Sequence, residues 1–176
     1  MNTKGKRFPD LTAADVMTPA PMTIPQEMSL RAAARLLCQD QISGAPVVDD
    51  TGRCIGVFSS SDIVRWARRA EATAACFESN ASCMCEWQVL NDERLPWDEV
   101  HRYMTTDLVA APPDTNVVEL ARMMRDAHIH RVVIVDAMQR PIGIVSSTDL
   151  LSAVALSGRD GDLEVPPASR AVPAVS

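Results

Sequence analysis

Apolar residues recur along this chain at two spacings. Leu30, Ala33, Ala34 and Leu37 stand at i, i+3, i+4 and i+7, the stripe of an amphipathic helix. Val117, Leu120, Ala121 and Met124 form the same stripe further on. Ser29 and Asn116 immediately precede the two stripes, where an N-cap side chain accepts a hydrogen bond from the first turn. Two short apolar runs around a polar turn follow each helix, which predicts a hairpin. Ala45-Pro46-Val47-Val48-Asp49 and Cys54-Ile55-Gly56-Val57-Phe58 flank Asp50-Thr51-Gly52-Arg53. Val132-Val133-Ile134-Val135-Asp136 and Ile142-Gly143-Ile144-Val145 flank Ala137-Met138-Gln139-Arg140. Such continuous runs predict strands covered on both faces. Pro46 lacks an N–H and is expected at a sheet edge or at the start of its strand. A second helix is expected to open after Ser61-Asp62 and after Thr148-Asp149. An extended segment around Met22-Thr23-Ile24, and another around Val109-Ala110-Ala111, precedes each first helix.

The two halves are copies. Shifting the chain by 87 positions superposes Met17-Thr18 on Met104-Thr105, Ile55-Gly56 on Ile142-Gly143, and Asp62 on Asp149. Without a gap, 14 of 46 positions are identical, where chance gives about three. The order strand, helix, strand, strand, helix occurs twice, so the expected fold is α/β, of the α+β kind. One such repeat cannot cover both faces of its small sheet, but two packed through their sheets can. The expected division is an N-terminal extension over 1–11, repeat one over 12–68, a linker insertion over 69–98, repeat two over 99–156, and a disordered tail over 157–176. Helix is expected to continue from Ile63 through Ala70 to Phe77. Trp87, Leu90, Leu95 and Trp97 are expected to pin the linker to the surface.

Composition narrows the function. The chain has 176 residues, 47% of them apolar, with a formal charge of −6 and a pI near 5.0. An acidic chain exerts no general pull on nucleic acid or anionic lipid, so neither is an expected partner. No apolar run reaches the length of a membrane span, and the basic start is not followed by a secretory apolar stretch. Five cysteines and no secretory signal suggest free thiols and a cytoplasmic location. No activated nucleophile, paired acids or phosphate loop is recognisable, and the expectation is a non-enzymatic protein.

The motifs resemble a known family. Val-Met-Thr, then Pro, a helix, Ile-Ser-Gly-Ala-Pro-Val-Val-Asp, and Ile-Gly-Val-Phe-Ser-Ser-Ser-Asp are similar to a CBS (cystathionine β-synthase-type) domain. The second copy, with Tyr-Met-Thr, His-Ile-His-Arg-Val-Val-Ile-Val-Asp and Ile-Gly-Ile-Val-Ser-Ser-Thr-Asp, resembles it more closely. The resemblance implies a pseudo-two-fold pair that dimerises, signals to a protein effector of unknown identity, and has two clefts for an adenosine ligand. AMP, ADP, ATP or S-adenosylmethionine would be the regulatory ligand, with no obligatory cofactor. Each cleft would take ribose-binding groups from one repeat and adenine-binding backbone from the other. One cleft then combines Ser146 and Asp149 with Thr18, Met22, Thr23, Ile42, Ser43, Gly44, Ala45 and Pro46. The other combines Ser59 and Asp62 with Thr105, Val109, Ala110, Ile129, Val132 and Val133. His130 and Arg131 would bind phosphate, and Ser43-Gly44 at the matching positions make the clefts unequal.

Each motif has a structural alternative. Ser and Asp three apart at a strand-to-helix turn can bind a ribose diol, but they also serve as a plain helix N-cap. Arg131 can offer a fork to phosphate or simply end a strand in solvent. His128 and His130, two apart on one strand face, could ligate a metal but lack a matching pair. Cys76, Cys83 and Cys85 in the linker could form a redox or metal sensor, or pack as small apolar residues. A purely structural dimerisation module is the remaining alternative.

Overall fold

A computed structural model describes residues 7–73 and 95–157. The expectations for Phe77, Trp87, Leu90, Cys76, Cys83, Cys85 and the 158–176 tail lie outside the described residues. A 3-10 turn at Phe8–Asp10 leads into α1 (Ala13–Val16), β1 (Thr18–Pro19) and β2 (Ile24–Pro25). Then follow α2 (Leu30–Gln39), β3 (Gly44–Val48), β4 (Cys54–Ser59) and α3 (Ser60–Thr73). The second half holds a 3-10 turn at Val100–Arg102, β5 (Ala110–Ala111), α4 (Val117–Asp126), β6 (Arg131–Val135), β7 (Pro141–Ser146) and α5 (Ser147–Ser157).

The first helix of each repeat is set by its ends as well as its stripe. Ser29 Oγ accepts from the Ala32 N–H at 3.2 Å, and Asn116 Oδ1 accepts from the Val118 N–H at 2.8 Å. At the other end Gln41 and His128 take left-handed φ values of 54° and 53°. The Ile42 N–H then reaches Leu37 O at 3.0 Å and the Ile129 N–H reaches Met124 O at 2.9 Å. This reversal closes the orphan carbonyls and turns the chain toward β3 and β6.

Two sheets result, with strand orders β2-β3-β4 and β1-β7-β6-β5. Between them runs a pseudo-two-fold relation visible in the pairing itself. Thr18 of the first half pairs with Ile144, and Thr105 of the second half pairs with Val57. Thr12 pairs with Asn116, and Ser29 pairs with Glu99. The segment ahead of each repeat therefore docks on the other repeat. Leu11, Ala13 and Val16 are buried among Val117, Leu120, Val132 and Val145. Leu95 and Val100 are buried among Leu30, Leu37, Val47 and Phe58. Cys54, Val133 and Val135 form a smaller buried cluster between the sheets. Each fully buried Leu, Ile, Val or Phe contributes about 1.5–3 kcal/mol, so the swapped segments belong to the cores they complete.

Several expectations need correction. The second helices begin at Ser60 and Ser147, one turn earlier than expected, because the aspartates accept from the backbone ahead of the helix and so lie inside its first turn. Pro46 lies in the middle of the central strand of its sheet rather than at an edge or a strand start. Its missing N–H is tolerated for a local reason. Val57 opposite spends its N–H and C=O on Thr105, and β2 pairs with β3 only from Val47 onward. β3 and β6 are covered on both faces, but β4 and β7 alternate between buried and half-buried positions. Ala121 is exposed, whereas its counterpart Ala34 is buried. Leu95 anchors its segment, but Trp97 is 73% exposed, with the Arg31 guanidinium 4.6 Å from its ring centroid. His128 and His130 precede β6 and do not share a strand face, since His128 is the left-handed residue ending α4.

Candidate functional site

At the end of β4 and of β7 the same small structure forms. Asp149 Oδ2 accepts from the Ser146 N–H at 2.7 Å and from its hydroxyl at 2.6 Å, while the Asp149 N–H reaches back to Ser146 Oγ at 3.3 Å. Asp62 Oδ2 likewise accepts from the Ser59 N–H at 2.8 Å and its hydroxyl at 2.9 Å. At Asp149 this is a capping box, with reciprocal bonds between N-cap and third helical residue, and at Asp62 the carboxylate half of the same box is present. The structural alternative for Ser59/Asp62 and Ser146/Asp149 is thus present in the fold. Thr12 and Asp15 make the same bonds, both at 2.9 Å, at the start of α1. The box alone is therefore no ligand site, and what distinguishes one box from another is the second carboxylate oxygen.

That oxygen differs sharply between the repeats. Asp62 Oδ1 accepts from Thr105 Oγ1 and from Arg65 Nη1, both at 2.9 Å, and the residue is 2% exposed. Asp149 is half-buried, and among the described residues its Oδ1 accepts no hydrogen bond. The position matching Arg65 in the second repeat is Ser152, whose hydroxyl bonds Thr148 O at 2.8 Å within the helix. Thr18, which matches Thr105, is exposed on β1.

The surroundings of Asp149 bring both repeats together. Arg131 opens β6 with its Cα paired opposite Ser146, and its guanidinium donates to Ser43 Oγ of the first repeat. The Ser147 N–H donates to His130 O at 2.9 Å, and the Ser60 N–H donates to Ser43 O at 3.0 Å, which ties each strand entry to its helix start. His130 and Arg131 are exposed, while Ser43, Gly44, Ile42, Met22 and Thr23 are half-buried. Ala45 and Pro46 are buried, as are Val132 and Val133, so these four could meet a ligand only through backbone. Thr105, Val109, Ala110 and Ile129 are half-buried.

Two open depressions are present, and neither is lined by Ser146, Asp149, Ser59 or Asp62. One of about 390 Å³ is lined by Thr51, Arg53, Ala137, Met138, Gln139 and Arg140 of the two hairpin turns. The other, about 700 Å³, is lined by Val109 and by Glu119, Arg122, Met123, Asp126 and Ala127 of α4. Among the described residues no group of three or more His, Cys, Asp or Glu could hold a metal ion. Of the described cysteines, Cys38 is exposed and Cys54 buried, and burial pushes the Cys54 thiol above its ordinary value. No helix among the described residues is long and apolar enough to cross a membrane. Sequence reasoning missed Arg65, although the 87-residue offset that sets it against Ser152 carries the signal.

A sheet-packed pair of βαββα repeats with exchanged leading segments is a recognisable class of α/β module. The CBS domain family model matches residues 13–69 and 99–156, and the chain belongs to that family. The CBS domain pair of protein MJ0100, solved with 5′-methylthioadenosine and S-adenosyl-L-methionine, superposes with a TM-score of 0.64 at 23% identity, covering 86% of this chain and 99% of that one. CBSX2 in complex with AMP superposes at 0.63 and 23% identity, covering 84% and 98%. Homoserine O-acetyltransferase of Methanococcoides burtonii is 26% identical over 139 residues, 79% of this chain. The chain spans 23% of the length of that relative.

Proposed function

We propose that this chain is a non-enzymatic regulatory module that binds an adenosine ligand between its repeats, at Asp149. The observation that carries the reading is the open carboxylate oxygen there. Ser146 holds Asp149 Oδ2, which leaves Oδ1 to accept from a ribose diol, as acidic residues do in dinucleotide folds. Arg131 is paired in register with Ser146, the partner of Asp149, and its guanidinium reaches across to Ser43, so a phosphate would have a cation at the seam between the repeats. Ligand bound there contacts both repeats and favours one arrangement of the pair over another, which is what a partner protein would read. Solved members of the family hold adenosine compounds, consistent with this chemistry.

The test is a thermal-shift panel of AMP, ADP, ATP, 5′-methylthioadenosine and S-adenosylmethionine. At 100 times Kd a ligand stabilises the fold by about 2.7 kcal/mol, a shift of about 5–10 °C for a chain of this size. Asp149→Ala is expected to abolish the shift, and Arg131→Ala to reduce it for phosphorylated ligands only. A full shift in Asp149→Ala would sink the assignment. No shift in the wild type with any of the five would favour the purely structural reading.

The proposal includes a homodimer. Val64 on α3 and Leu151 at the matching position of α5 are 57% and 69% exposed, and Leu156 is 57% exposed. Such related apolar faces suit a closed two-fold assembly. Light scattering at micromolar concentration is expected to give twice the chain mass. A monomer there would refute the dimer.

A further inference from the structure

We infer that the Asp62 cleft is closed by the chain itself, with Arg65 and Thr105 occupying the position a ribose would take, so that one chain binds one adenosine ligand and not two. The identity of the ligand rests on the proposed function, but the closure of the Asp62 cleft does not.

A carboxylate oxygen presents two lone-pair directions. Asp62 Oδ2 spends both on Ser59, and Oδ1 spends both on Thr105 and Arg65. No acceptor site is left for a diol, and at 2% exposure no path to one is open. A ligand would have to displace a charge-assisted bond from a buried carboxylate and put neutral hydroxyls in place of its cationic partner. Thr105 adds a second obstacle. Its backbone pairs with Val57, its N–H donating to Val57 O at 2.9 Å and its C=O accepting from the Val57 N–H at 3.0 Å, so its hydroxyl is held by a bridge between the repeats.

Neither side-chain bond exists at Asp149, although Thr18 pairs with Ile144 through the backbone as Thr105 does with Val57. Ser152 replaces Arg65 at the matching position, and its short side chain bonds its own helix. Thr18 is exposed and makes no such bond. The repeats have thus diverged into a binding box and a structural latch. In the latch, Asp62 joins α3 to the segment ahead of the second repeat, while Arg65 decides whether the cleft is open. Arg65 is a specificity-determining residue on this reading, and its charge is what a mutant should remove.

Two measurements test this, one of them free of any ligand. In the unliganded protein, Asp62→Asn is expected to lower the Tm by about 5–10 °C, because a buried, fully bonded carboxylate is lost. Asp149→Asn, at a half-open box, is expected to lower it by at most about half as much. Equal losses would overturn the latch. By calorimetry with the ligand that gives the largest thermal shift, the wild type is expected to bind one equivalent per chain, and Arg65→Ser to bind two. Asp149→Asn combined with Arg65→Ser is expected to return the count to one, now at the Asp62 cleft. Two equivalents in the wild type, one of them lost in Asp62→Asn, would overturn the closure. A count that stays at one in Arg65→Ser would remove Arg65 as the closing residue. If the wild type binds none of the five compounds, the adenosine reading fails, and the unliganded comparison of the two aspartates still decides the latch.

Discussion

Gly56→Ala is expected to destabilise the protein by about 2–3 kcal/mol, lowering the Tm by about 5–10 °C, while Gly143→Ala at the matching position costs only about 1 kcal/mol. Both glycines lie where the Met-Thr segment of the opposite half crosses the sheet. A Cβ on Gly56 would stand 2.6 Å from the Thr105 carbonyl oxygen and 2.9 Å from Met104 Sδ. The carbonyl cannot retreat, because it accepts the Val57 N–H and the same residue donates to Asp62. A Cβ on Gly143 would collide with Met17 Sδ and lie 2.9 Å from its Cγ and 3.1 Å from its Cβ, all atoms of one side chain and none of them backbone. Methionine has three rotatable bonds and can give way. Thermal melts of the two variants therefore order the two crossings by rigidity. A larger loss at Gly143 than at Gly56 would contradict the account.

The same two crossings show how much the sequence makes legible. The 87-residue repeat exposes the βαββα order, because each helix stripe and each hairpin run recurs at a fixed offset. The N-caps at Ser29 and Asn116 are also readable, since capping chemistry is local. The exchange of leading segments is not. Leu11 and Leu95 carry no sign of which core they enter, and β1 is a two-residue strand whose partner lies more than a hundred residues away. Pro46 misled for the same reason. Its lack of an N–H is a local fact, but whether a donor is needed there depends on Thr105 having already taken the partner strand.

At the site, the sequence supplies the boxes but not their state. Ser59/Asp62 and Ser146/Asp149 look alike in one dimension and share one geometry in three. The difference lies in the second oxygen, where Arg65 on the next helical turn and Thr105 from the other half converge on Asp62. Arg65 against Ser152 was visible at the 87-residue offset. The approach of Thr105 was not, since it depends on the pairing of Thr105 with Val57. The two repeats differ in sequence at Ser43-Gly44 and His130-Arg131. In the fold Arg131 and Ser43 also meet, so the unequal residues face one seam.

Leu11→Ala is expected to cost about 2–5 kcal/mol, a Tm loss of about 5–15 °C, although Leu11 precedes both repeats in the chain. The side chain is 2% exposed and lies in the core of the second repeat, against residues more than a hundred positions away. Truncation leaves a cavity that the short α1 cannot fill, being itself held by Ala13 and Val16 in the same core. The backbone follows the side chain. Leu11 O accepts from the Val117 N–H at 3.0 Å, and the Ala13 N–H donates to Thr115 O at 2.7 Å, so a loosened leader frees the N-terminus of α4 as well. Hydrogen exchange is expected to quicken at Ala13 and Val117 before it quickens in β3 and β4. Beyond α1 the leader becomes β1, whose Thr18 pairs with Ile144 beside the Asp149 box. A weaker nucleotide shift in Leu11→Ala than in the wild type is therefore expected on the proposed function. A Tm change of under about 1 °C, the range of a surface substitution, would show that the segment is an appendage and that the second repeat closes its core without it.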